Sequence, residues 1–581
     1  MYINMFHQEI IQDILEKEYS IRKEDIETYK ENSTKLNKTL QEYLSDEGIV
    51  DEVELYTSLA KKLGIPFVLL KDKDIKKDVL GLIPAPLAQT HKIIAFEKTD
   101  GEISLAMLDP EDIQTIEFIQ RKLALNAKVY LTTPTDIKDA LRRYHADLEQ
   151  EGMAITQLSE KVEDGEGSEL KKAAEELPII NIVNSVLEHA VFEGASDIHI
   201  EPTEKEVIVR YRVDGMLRQV MTLPKTVKSG IIARIKILAN LKIDEHMIPQ
   251  DGRFKIQLQD DRFSFRVSIM PVYDGEKVVL RLLHEGQKPL QLEELGFLKH
   301  PKELLEAAME KPHGMILVTG PTGSGKTTTL YSVLGILNQP NVNISTIEDP
   351  IEYHVEGINQ SQTNPRVGYS FAEGLRAFLR QDPDIIMVGE IRDKETAEIA
   401  IHAAMTGHLV LSTLHTNDAP TTLPRLLDMD IPPFLIAFTA NIIIAQRLVR
   451  KICNDCKKEF KLNKKEIDEL NKIAQLDRIK KFFTENEVNL SPEEKDFETL
   501  TFYRGEGCRK CGKSGYKGRI GIYEVMEIDE AMTQKINERA NAQEIKKFAL
   551  EQGMITILED GIIKAKKGIT TIEEVLRVTR E

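Results

Sequence analysis

MILVTGPTGSGKTTTLYSVLGIL, residues 315–337, is the stretch that decides the fold of this chain. Its beginning, Met315–Thr319, is a short apolar run of the kind that is buried as a strand in a parallel sheet. Gly320–Thr327 follows directly and matches the pattern G-x-x-x-x-G-K-[ST]. From Leu330 to Leu337 the apolar residues recur at helical spacing. A strand, a glycine-rich loop and a helix in this order predict a phosphate-binding loop, and they disfavour the alternative of an accidental glycine-rich turn.

Each residue type in this loop has a chemical reason. The glycines let backbone N–H groups curl around an anion, and the helix that follows adds the positive end of its dipole. Lys326 is expected to reach the β- and γ-phosphates of ATP, and Thr327 to offer its hydroxyl to Mg²⁺. The predicted nucleotide-binding residues are Gly320, Pro321, Thr322, Gly323, Ser324, Gly325, Lys326, Thr327 and Thr328.

Two later segments predict strands that end in carboxylates. Ile344–Glu352 ends in an acidic run, in which Glu348 or Glu352 is expected to activate water. The alternative for that run is a solvated acidic turn. Asp384–Asp393 looks like a Walker B strand with Glu390 at its end, acting through a metal-bound water or orienting the attacking water.

A third segment, Thr406–Asp418, predicts a strand that ends in polar residues. His415 is expected at the carboxyl end of this strand, where it could sense the γ-phosphate, although a lone histidine is more often structural. Together the three segments supply what hydrolysis needs beyond nucleotide binding.

The four cysteines form two C-x-x-C pairs, Cys453 with Cys456 and Cys508 with Cys511. Four thiolates in this pattern suit tetrahedral Zn²⁺ and leave no open position for catalysis, so the predicted role is structural. The alternative is two free buried pairs.

Composition narrows the class of protein further. The chain has 581 residues and a formal net charge of −18, which suggests several domains and argues against a protein that coats nucleic acid. It shows no signal peptide and no apolar run of the ~18 residues that a membrane span needs. The nearest run, Phe434–Ala445, is interpreted as a buried helix. We therefore expect an intracellular protein.

Local patterns predict the elements of the first half. A hairpin is expected from Lys92–Phe96 and Ile103–Leu108, and a helix over Ile182–Phe192. Further strands are expected at Asp197–Ile200, Glu206–Val213, Arg253–Leu258 and Phe263–Ile269.

The motifs together resemble the secretion ATPase superfamily, specifically the type II secretion and type IV pilus assembly ATPases. The matching stretches are GPTGSGKTTTLYS, TIEDPIEY, LRQDPDIIMVGEIRD, TGHLVLSTLHTNDA, GASDIHIEP, VRYRVDG and PQDGR. The resemblance implies an α/β fold: a RecA-like ATPase domain with a mainly parallel sheet, preceded by a smaller α/β domain and an α+β N-terminal region. It also implies a zinc-binding tetracysteine insert, which retraction ATPases generally lack.

The resemblance further implies a homohexamer in which ATP hydrolysis moves one domain against another. Glu348 and Glu352 fall in the family's acidic box, Glu390 in its Walker B strand, and His408 and His415 in its histidine box. The arginine fingers are expected to come from Arg210, Arg212, Arg253 and Arg266, because the planar guanidinium bridges phosphate oxygens. Alternatively, two of these arginines pair with carboxylates such as Asp197 or Asp251.

The predicted segments are an N-terminal docking region at 1–145, an acidic linker at 146–176, a second α/β domain with the arginines at 177–290, the ATPase domain at 291–450, the tetracysteine subdomain at 451–520 and a C-terminal helical region at 521–581. The docking region resembles the family's N-terminal domains more loosely. Its segment Leu40–Val50 is similar to one that binds cyclic di-GMP in some relatives, but Thr39 and Gln41 replace the expected arginine and glycine. This argues against that ligand.

The leading hypothesis is a cytoplasmic motor for assembly of a type II secretion pseudopilus or a type IV pilus. Its expected partners are an inner-membrane platform protein and a cytoplasmic docking protein, through which it would sit at the inner membrane, and no nucleic acid. The alternatives are a retraction motor, a RecA-like motor that translocates nucleic acid and an ATP-binding scaffold.

Overall fold

The computed structural model describes residues 5–35, 40–73, 75–84, 87–88, 91–141, 177–258, 261–286, 289–474, 476–485, 494, 497–508 and 511–580. The chain forms two compact units, Met1–Leu283 and His284–Glu581. The linker predicted at 146–176 and Thr39 both lie outside the described residues. Within those residues, no helix combines the length and the apolar character needed to cross a membrane.

The N-terminal part of the first unit contains short helices and a three-stranded sheet. The helices are α1 (Met5–Lys17), α2 (Lys23–Lys35), α3 (Leu40–Asp46), α4 (Glu52–Leu63), α5 (Lys77–Leu80) and α6 (Ile113–Leu123). The strands are β1 (Ile93–Lys98), β2 (Glu102–Met107) and β3 (Asn126–Leu131). Strands β1 and β2 form the predicted hairpin, and β3 adds to β2 in parallel.

The remainder of the first unit is a six-stranded sheet that shares an apolar core with two helices. The helices are α7 (Leu177–Phe192) and α8 (Lys228–Leu238). The strands are β4 (Asp197–Pro202), β5 (Glu206–Val213), β6 (Met216–Pro224), β7 (Gln250–Leu258), β8 (Asp261–Val272) and β9 (Gly275–Glu285). They lie in the order β6-β5-β4-β9-β8-β7.

The sequence predicted four of these strands and missed β6 and β9. Strand β6 alternates poorly between polar and apolar residues, so only its pairing with β5 makes it a strand. Strand β9 reads KVVLRLLHE after its first two residues, and its leucines and charged residues also suit a helix. It forms a strand because it pairs in the antiparallel direction with β4, which is distant in the sequence.

The second unit is built on a seven-stranded sheet. Its helices are α9 (Leu292–Leu295), α10 (Lys299–Met309), α11 (Lys326–Leu337), α12 (Phe371–Phe378), α13 (Lys394–Met405), α14 (Thr422–Asp428), α15 (Pro433–Thr439), α16 (Lys464–Ile473), α17 (Leu476–Glu485), α18 (Glu530–Asn537), α19 (Ala542–Glu551), α20 (Ile557–Lys566) and α21 (Ile572–Thr579). Its strands are β10 (Gly314–Thr319), β11 (Ile344–Glu348), β12 (Asn359–Gln362), β13 (Ile385–Val388), β14 (Leu409–Leu414), β15 (Ala440–Ile452), β16 (Lys457–Lys461), β17 (Thr501–Gly505) and β18 (Tyr516–Glu527).

The strands of the large sheet follow the order β12-β11-β13-β14-β10-β15-β18. Neighbouring strands from β12 to β15 are parallel, and β18 is antiparallel to β15. Alternate residues of β10 belong to two different apolar clusters, one on each face of the sheet. A mainly parallel sheet buried on both faces confirms the predicted α/β fold.

One prediction in this unit was wrong. The run Phe434–Ala445 is not a single buried helix, because α15 ends at Thr439 and Ala440 begins strand β15. The β-branched residues Ile442–Ile444 favour a strand, and β15 lies between β10 and β18.

A second difference concerns the C-terminal region. Strand β18 crosses the boundary predicted at residue 520, so the region expected to be helical begins inside the sheet. Helices follow only from Glu530. The division of the chain into six segments stays a prediction.

Candidate functional site

Four parallel strands of the large sheet end at the same edge. The register pairs Val318 with Thr413 across β10 and β14, and Val388 with Ser412 across β13 and β14. The residues that follow these strand ends therefore meet at one place, as is usual for ligand sites in parallel sheets.

The phosphate loop leaves β10 at Thr319, whose hydroxyl ties this strand end to the end of β14. Thr416 donates its backbone N–H to Oγ1 of Thr319 at 2.8 Å, and Thr319 Oγ1 lies 3.1 Å from the carbonyl oxygen of Leu414, to which it can donate. Gly320, Gly323 and Gly325 adopt φ values of 146°, 79° and 90°, which favour glycine.

Lys326 opens helix α11 and turns back over the loop. Its Nζ donates to the carbonyl oxygen of Gly320 at 2.8 Å and to that of Pro321 at 3.3 Å. Burial lowers the pKa of Lys326, with repulsion from Arg447 acting in the same direction and attraction to Glu390 opposing it. The Lys326 ammonium group thus lies within electrostatic range of Glu390, which follows β13.

Glu390 and His415, both predicted from sequence, lie together at the strand ends. His415 Nε2 is 3.2 Å from Glu390 Oε2, and Arg392 forms an ion pair with the other carboxylate oxygen. The Glu390 side chain is 15% exposed and that of His415 is half exposed. A carboxylate that touches a histidine and senses Lys326 can orient water next to a phosphate held by the loop.

His408, by contrast, precedes β14 and lies at the other end of that strand. Its Nδ1 is 2.9 Å from the carbonyl oxygen of Ala403 in the preceding helix. The structure does not bring His408 and His415 together.

Glu348 ends β11 but is only 3% exposed. Its Oε1 accepts hydrogen bonds from Thr346 at 2.6 Å and Gln360 at 3.3 Å, and its Oε2 accepts one from the Tyr331 hydroxyl at 2.5 Å. Burial raises its pKa, and these hydrogen bonds oppose that shift. Both oxygens are thus occupied by protein groups, so the geometry suits a residue that fixes β11 to α11.

Glu352 is half-buried four residues further on. Its backbone hydrogen-bonds to the Tyr331 hydroxyl, which links the acidic segment to helix α11 a second time. The structure therefore separates the two glutamates of this segment, with Glu348 inside the core and Glu352 nearer to its surface.

The arginines considered as fingers lie on the six-stranded sheet of the first unit. Arg210 pairs with Glu201 at 2.5 Å, and Arg212 approaches Asp197 at 3.6 Å. The pairing of Arg212 with Asp197 matches the alternative in which an arginine neutralises a carboxylate, and Arg210 does the same with a different carboxylate, Glu201.

Arg253 and Arg266 face each other across the β7–β8 pair, with Arg253 exposed and Arg266 half-buried. Two like charges at opposite positions repel each other, which favours an anion or a carboxylate nearby. Two of these arginines thus pair with carboxylates, and the other two lie at opposite positions of neighbouring strands.

The four cysteine sulfurs lie within 4.8 Å of one another. The Sγ–Sγ distance is 3.7 Å for Cys453–Cys508, 3.9 Å for Cys456–Cys511 and 3.7 Å for Cys508–Cys511. A zinc ion with thiolates at about 2.3 Å sets its sulfurs roughly 3.8 Å apart, so this cluster fits tetrahedral Zn²⁺. The backbone N–H groups of Cys508 and Gly515 point to Cys511 Sγ at 3.1 and 3.3 Å. Burial raises the pKa of Cys511, but these hydrogen bonds lower it overall and favour a thiolate.

The sequence reasoning missed two residues beside the loop, Gln446 and Arg447. In the sequence they directly follow the apolar run Phe434–Ala445. Arg447 donates to the carbonyl oxygen of Asn417 at 3.1 Å and contributes to the lowered pKa of Lys326. The signal that could have found them is their position in a strand parallel to β10, which emerges only from the sheet order.

The phosphate loop follows β10, and Glu390 follows β13, with β14 between these two strands. A parallel sheet that carries such a loop and such an acid at its strand ends defines the class of P-loop ATPases. The chain belongs to the type II/IV secretion system protein family, whose model matches residues 172–577, and it is an ATPase. The MshEN domain model matches residues 63–151.

Two relatives support this membership, and one solved structure is similar to part of the chain. The chain is 40% identical over 573 residues to the type IV pilus assembly ATPase PilB of Myxococcus xanthus, with 97% of this chain and 98% of that protein covered. It is 45% identical over 424 residues to the type II secretion system ATPase E of Vibrio cholerae, with 73% and 79% covered. The X-ray structure of the ATPase DotB of Legionella pneumophila aligns with 68% of this chain and 94% of its own at 24% identity, with a TM-score of 0.48.

Proposed function

We propose that this chain is a cytoplasmic motor that uses ATP hydrolysis to assemble a pilus or a secretion pseudopilus. The observation that carries the proposal is the meeting of Glu390 and His415 at the strand ends, within electrostatic reach of Lys326. The relatives named above assemble type IV pili or belong to type II secretion systems.

In the proposed reaction the chain's own groups hold and orient the reactants. Backbone N–H groups of the loop and the Lys326 ammonium would bind the β- and γ-phosphates, which requires Lys326 to leave its contacts with Gly320 and Pro321. Mg²⁺, when bound at the Thr327 hydroxyl, would neutralise phosphate charge. Glu390 would orient water for in-line attack, and His415 would position Glu390 and sense the γ-phosphate.

Positive charge for the transition state would come from arginine fingers. Arg253 is the better candidate because its side chain is exposed, whereas Arg210 and Arg212 already pair with carboxylates. Arg266 lies opposite Arg253 in the neighbouring strand and stays a candidate. Glu352 remains a second candidate for activating water, and Glu348 would position helix α11.

The tetracysteine cluster would have a structural role. Cys453, Cys456, Cys508 and Cys511 would all ligate one Zn²⁺, so no coordination position would stay open for a reactant. The ion would close the long connection between β15 and β18.

The proposed assembly is a homohexamer at the inner membrane, bound to a platform protein and a cytoplasmic docking protein through the N-terminal region. This part of the proposal rests on the family. The net charge of −18 supports partners other than nucleic acid. Cyclic di-GMP is not proposed as a ligand, because Gln41 stands where close approach of the ligand would need glycine.

Deleting the gene in its bacterial host tests the direction of the motor. An assembly motor predicts loss of extracellular filaments or of secreted substrate, with rescue by the wild-type gene and none by Lys326→Ala. A retraction motor predicts more filaments than in the wild type, and an unchanged phenotype would contradict both.

A further inference from the structure

Gln446 lies in strand β15, directly beside the beginning of the phosphate loop. The register of β10 and β15 pairs Thr319 with Ala445, so Gln446 runs alongside Gly320. A Cβ atom at Gly320 would lie 2.6 Å from the carbonyl oxygen of Gln446. The backbone of Gln446 therefore forms one wall of the loop and explains why a glycine is needed at position 320.

The side chain of Gln446 connects two parts of the loop region. Its Nε2 donates to the carbonyl oxygen of Ser324 at 2.7 Å, and its Oε1 accepts from Thr329 Oγ1 at 2.8 Å. Gln446 is 1% exposed, so water cannot replace either bond. The amide uses its donor at one end and its acceptor at the other, and no other side chain of this size offers both in this geometry.

We infer that Gln446 is a positioning residue that holds the phosphate loop in its binding conformation from the neighbouring strand. This inference rests on the proposed nucleotide site and adds a residue that no sequence motif of that site contains.

The physical reason is conformational entropy. A loop with three glycines at positive φ has many accessible conformations, and fixing them opposes ligand binding. A loop that is already fixed before the phosphates arrive binds them more tightly. Gln446 fixes Ser324 in the loop against Thr329 in the first turns of α11.

The test measures the Kd of Mg-ADP for the full chain, wild type against Gln446→Met, which keeps the length of the side chain but loses both hydrogen bonds. Two buried hydrogen bonds predict a rise in Kd of about 10- to 100-fold, with KM for ATP rising in parallel and kcat changing less. The matched control is Asn441→Ala, which removes a bond from the other end of β15 to the carbonyl oxygen of His313. The control should bind Mg-ADP like the wild type.

A second variant covers the case in which Gln446→Met does not fold. Thr329→Val is close in size and removes the bond to Gln446 Oε1, together with a contact to Tyr523, but keeps the bond from Gln446 to Ser324. Kd should therefore rise by about 5- to 10-fold. A merely structural role would lower the unfolding temperature and leave Kd within twofold of the wild type for every variant that folds. That result would overturn the inference, whereas a wild-type chain without affinity for Mg-ADP would overturn the nucleotide site itself.

Discussion

The two large sheets of this molecule place their charged residues in opposite ways. In the seven-stranded sheet the strands β10, β11, β13 and β14 are parallel and buried on both faces, so charged residues appear only where the strands end. In the six-stranded sheet buried residues alternate with charged ones, as in β5, where Arg210 and Arg212 flank the buried Tyr211. One sheet gathers its charges at an edge, and the other spreads them over a face.

This difference teaches how far each sheet can be interpreted from sequence. In a parallel sheet the position of a residue in its own strand predicts its place at the site. In an antiparallel sheet the role of an arginine depends on which carboxylate lies in the neighbouring strand. Asp197, for example, lies between Arg212 of β5 and Arg281 of β9.

The largest effect is expected at the parallel edge, for Lys326→Ala. Hydrolysis should fall by roughly 100-fold or more, because the phosphate charge would lose its nearest cation. The measurement is phosphate release by the purified chain, with Lys302→Ala, a lysine paired with Glu293 and Glu306 at the surface, as the control. Retained hydrolysis in Lys326→Ala would refute the loop assignment.

Glu390→Gln should slow hydrolysis by about 100-fold while ATP still binds, because the amide cannot polarise water as a carboxylate does. Single-turnover hydrolysis and equilibrium binding separate the two effects. Glu395→Gln, whose carboxylate pairs with Arg376 on the surface, is the control. A normal rate for Glu390→Gln would move the role to Glu352.

The tetracysteine cluster lies in the connection between the antiparallel strands β15 and β18, and it provides a third test. Elemental analysis of the gently purified chain should find about one zinc per chain, and Cys508→Ser should remove it and lower the unfolding temperature. Chelation of the wild type should lower that temperature as well, and added zinc should restore it. A wild-type chain without zinc and with unchanged stability after chelation would contradict the tetrathiolate site.

The smallest effects are expected on the face of the six-stranded sheet, where they distinguish the arginines. Arg212→Ala should lower the free energy of unfolding by about 1 kcal/mol, because Asp197 is 6% exposed and loses one of its partners. Because Arg253 is exposed, Arg253→Ala should change the free energy of unfolding by no more than ~0.5 kcal/mol. It should nevertheless reduce ATP turnover, because Arg253 is the proposed arginine finger. If Arg212→Ala instead reduced turnover without loss of stability, Arg212 would be the better candidate for an arginine finger.

The sequence predicted at which strand ends the candidate residues lie, but not how deeply their side chains are buried. Lys326, Glu390 and His415 are close enough to interact, because each follows a strand whose direction the apolar run reveals. Glu348 is the last residue of such a strand, yet its carboxylate accepts a hydrogen bond from Tyr331 of helix α11 and is buried. The end of a strand determines the position of a residue's Cα atom, but the packing around it determines the direction of its side chain.

The prediction of a helix at Phe434–Ala445 was wrong because it too depended on contacts that the sequence does not reveal. An apolar run of this length suits either a helix or a buried strand, and local pattern cannot separate them. From Ala440 onwards the run pairs with β10 and therefore forms a strand. This pairing places Gln446 beside the phosphate loop.

By itself, the sequence determined the phosphate loop, the parallel sheet that carries it and the pairing of the cysteines, because each follows from residues close together in the chain. Only the tertiary structure decided that Glu348 is buried, that Arg210 and Arg212 are neutralised, and that Gln446 supports the loop. Those outcomes depend on contacts between strands distant in sequence. Local propensities are blind to such contacts, because the free energy of burying or pairing a side chain depends on what lies beside it.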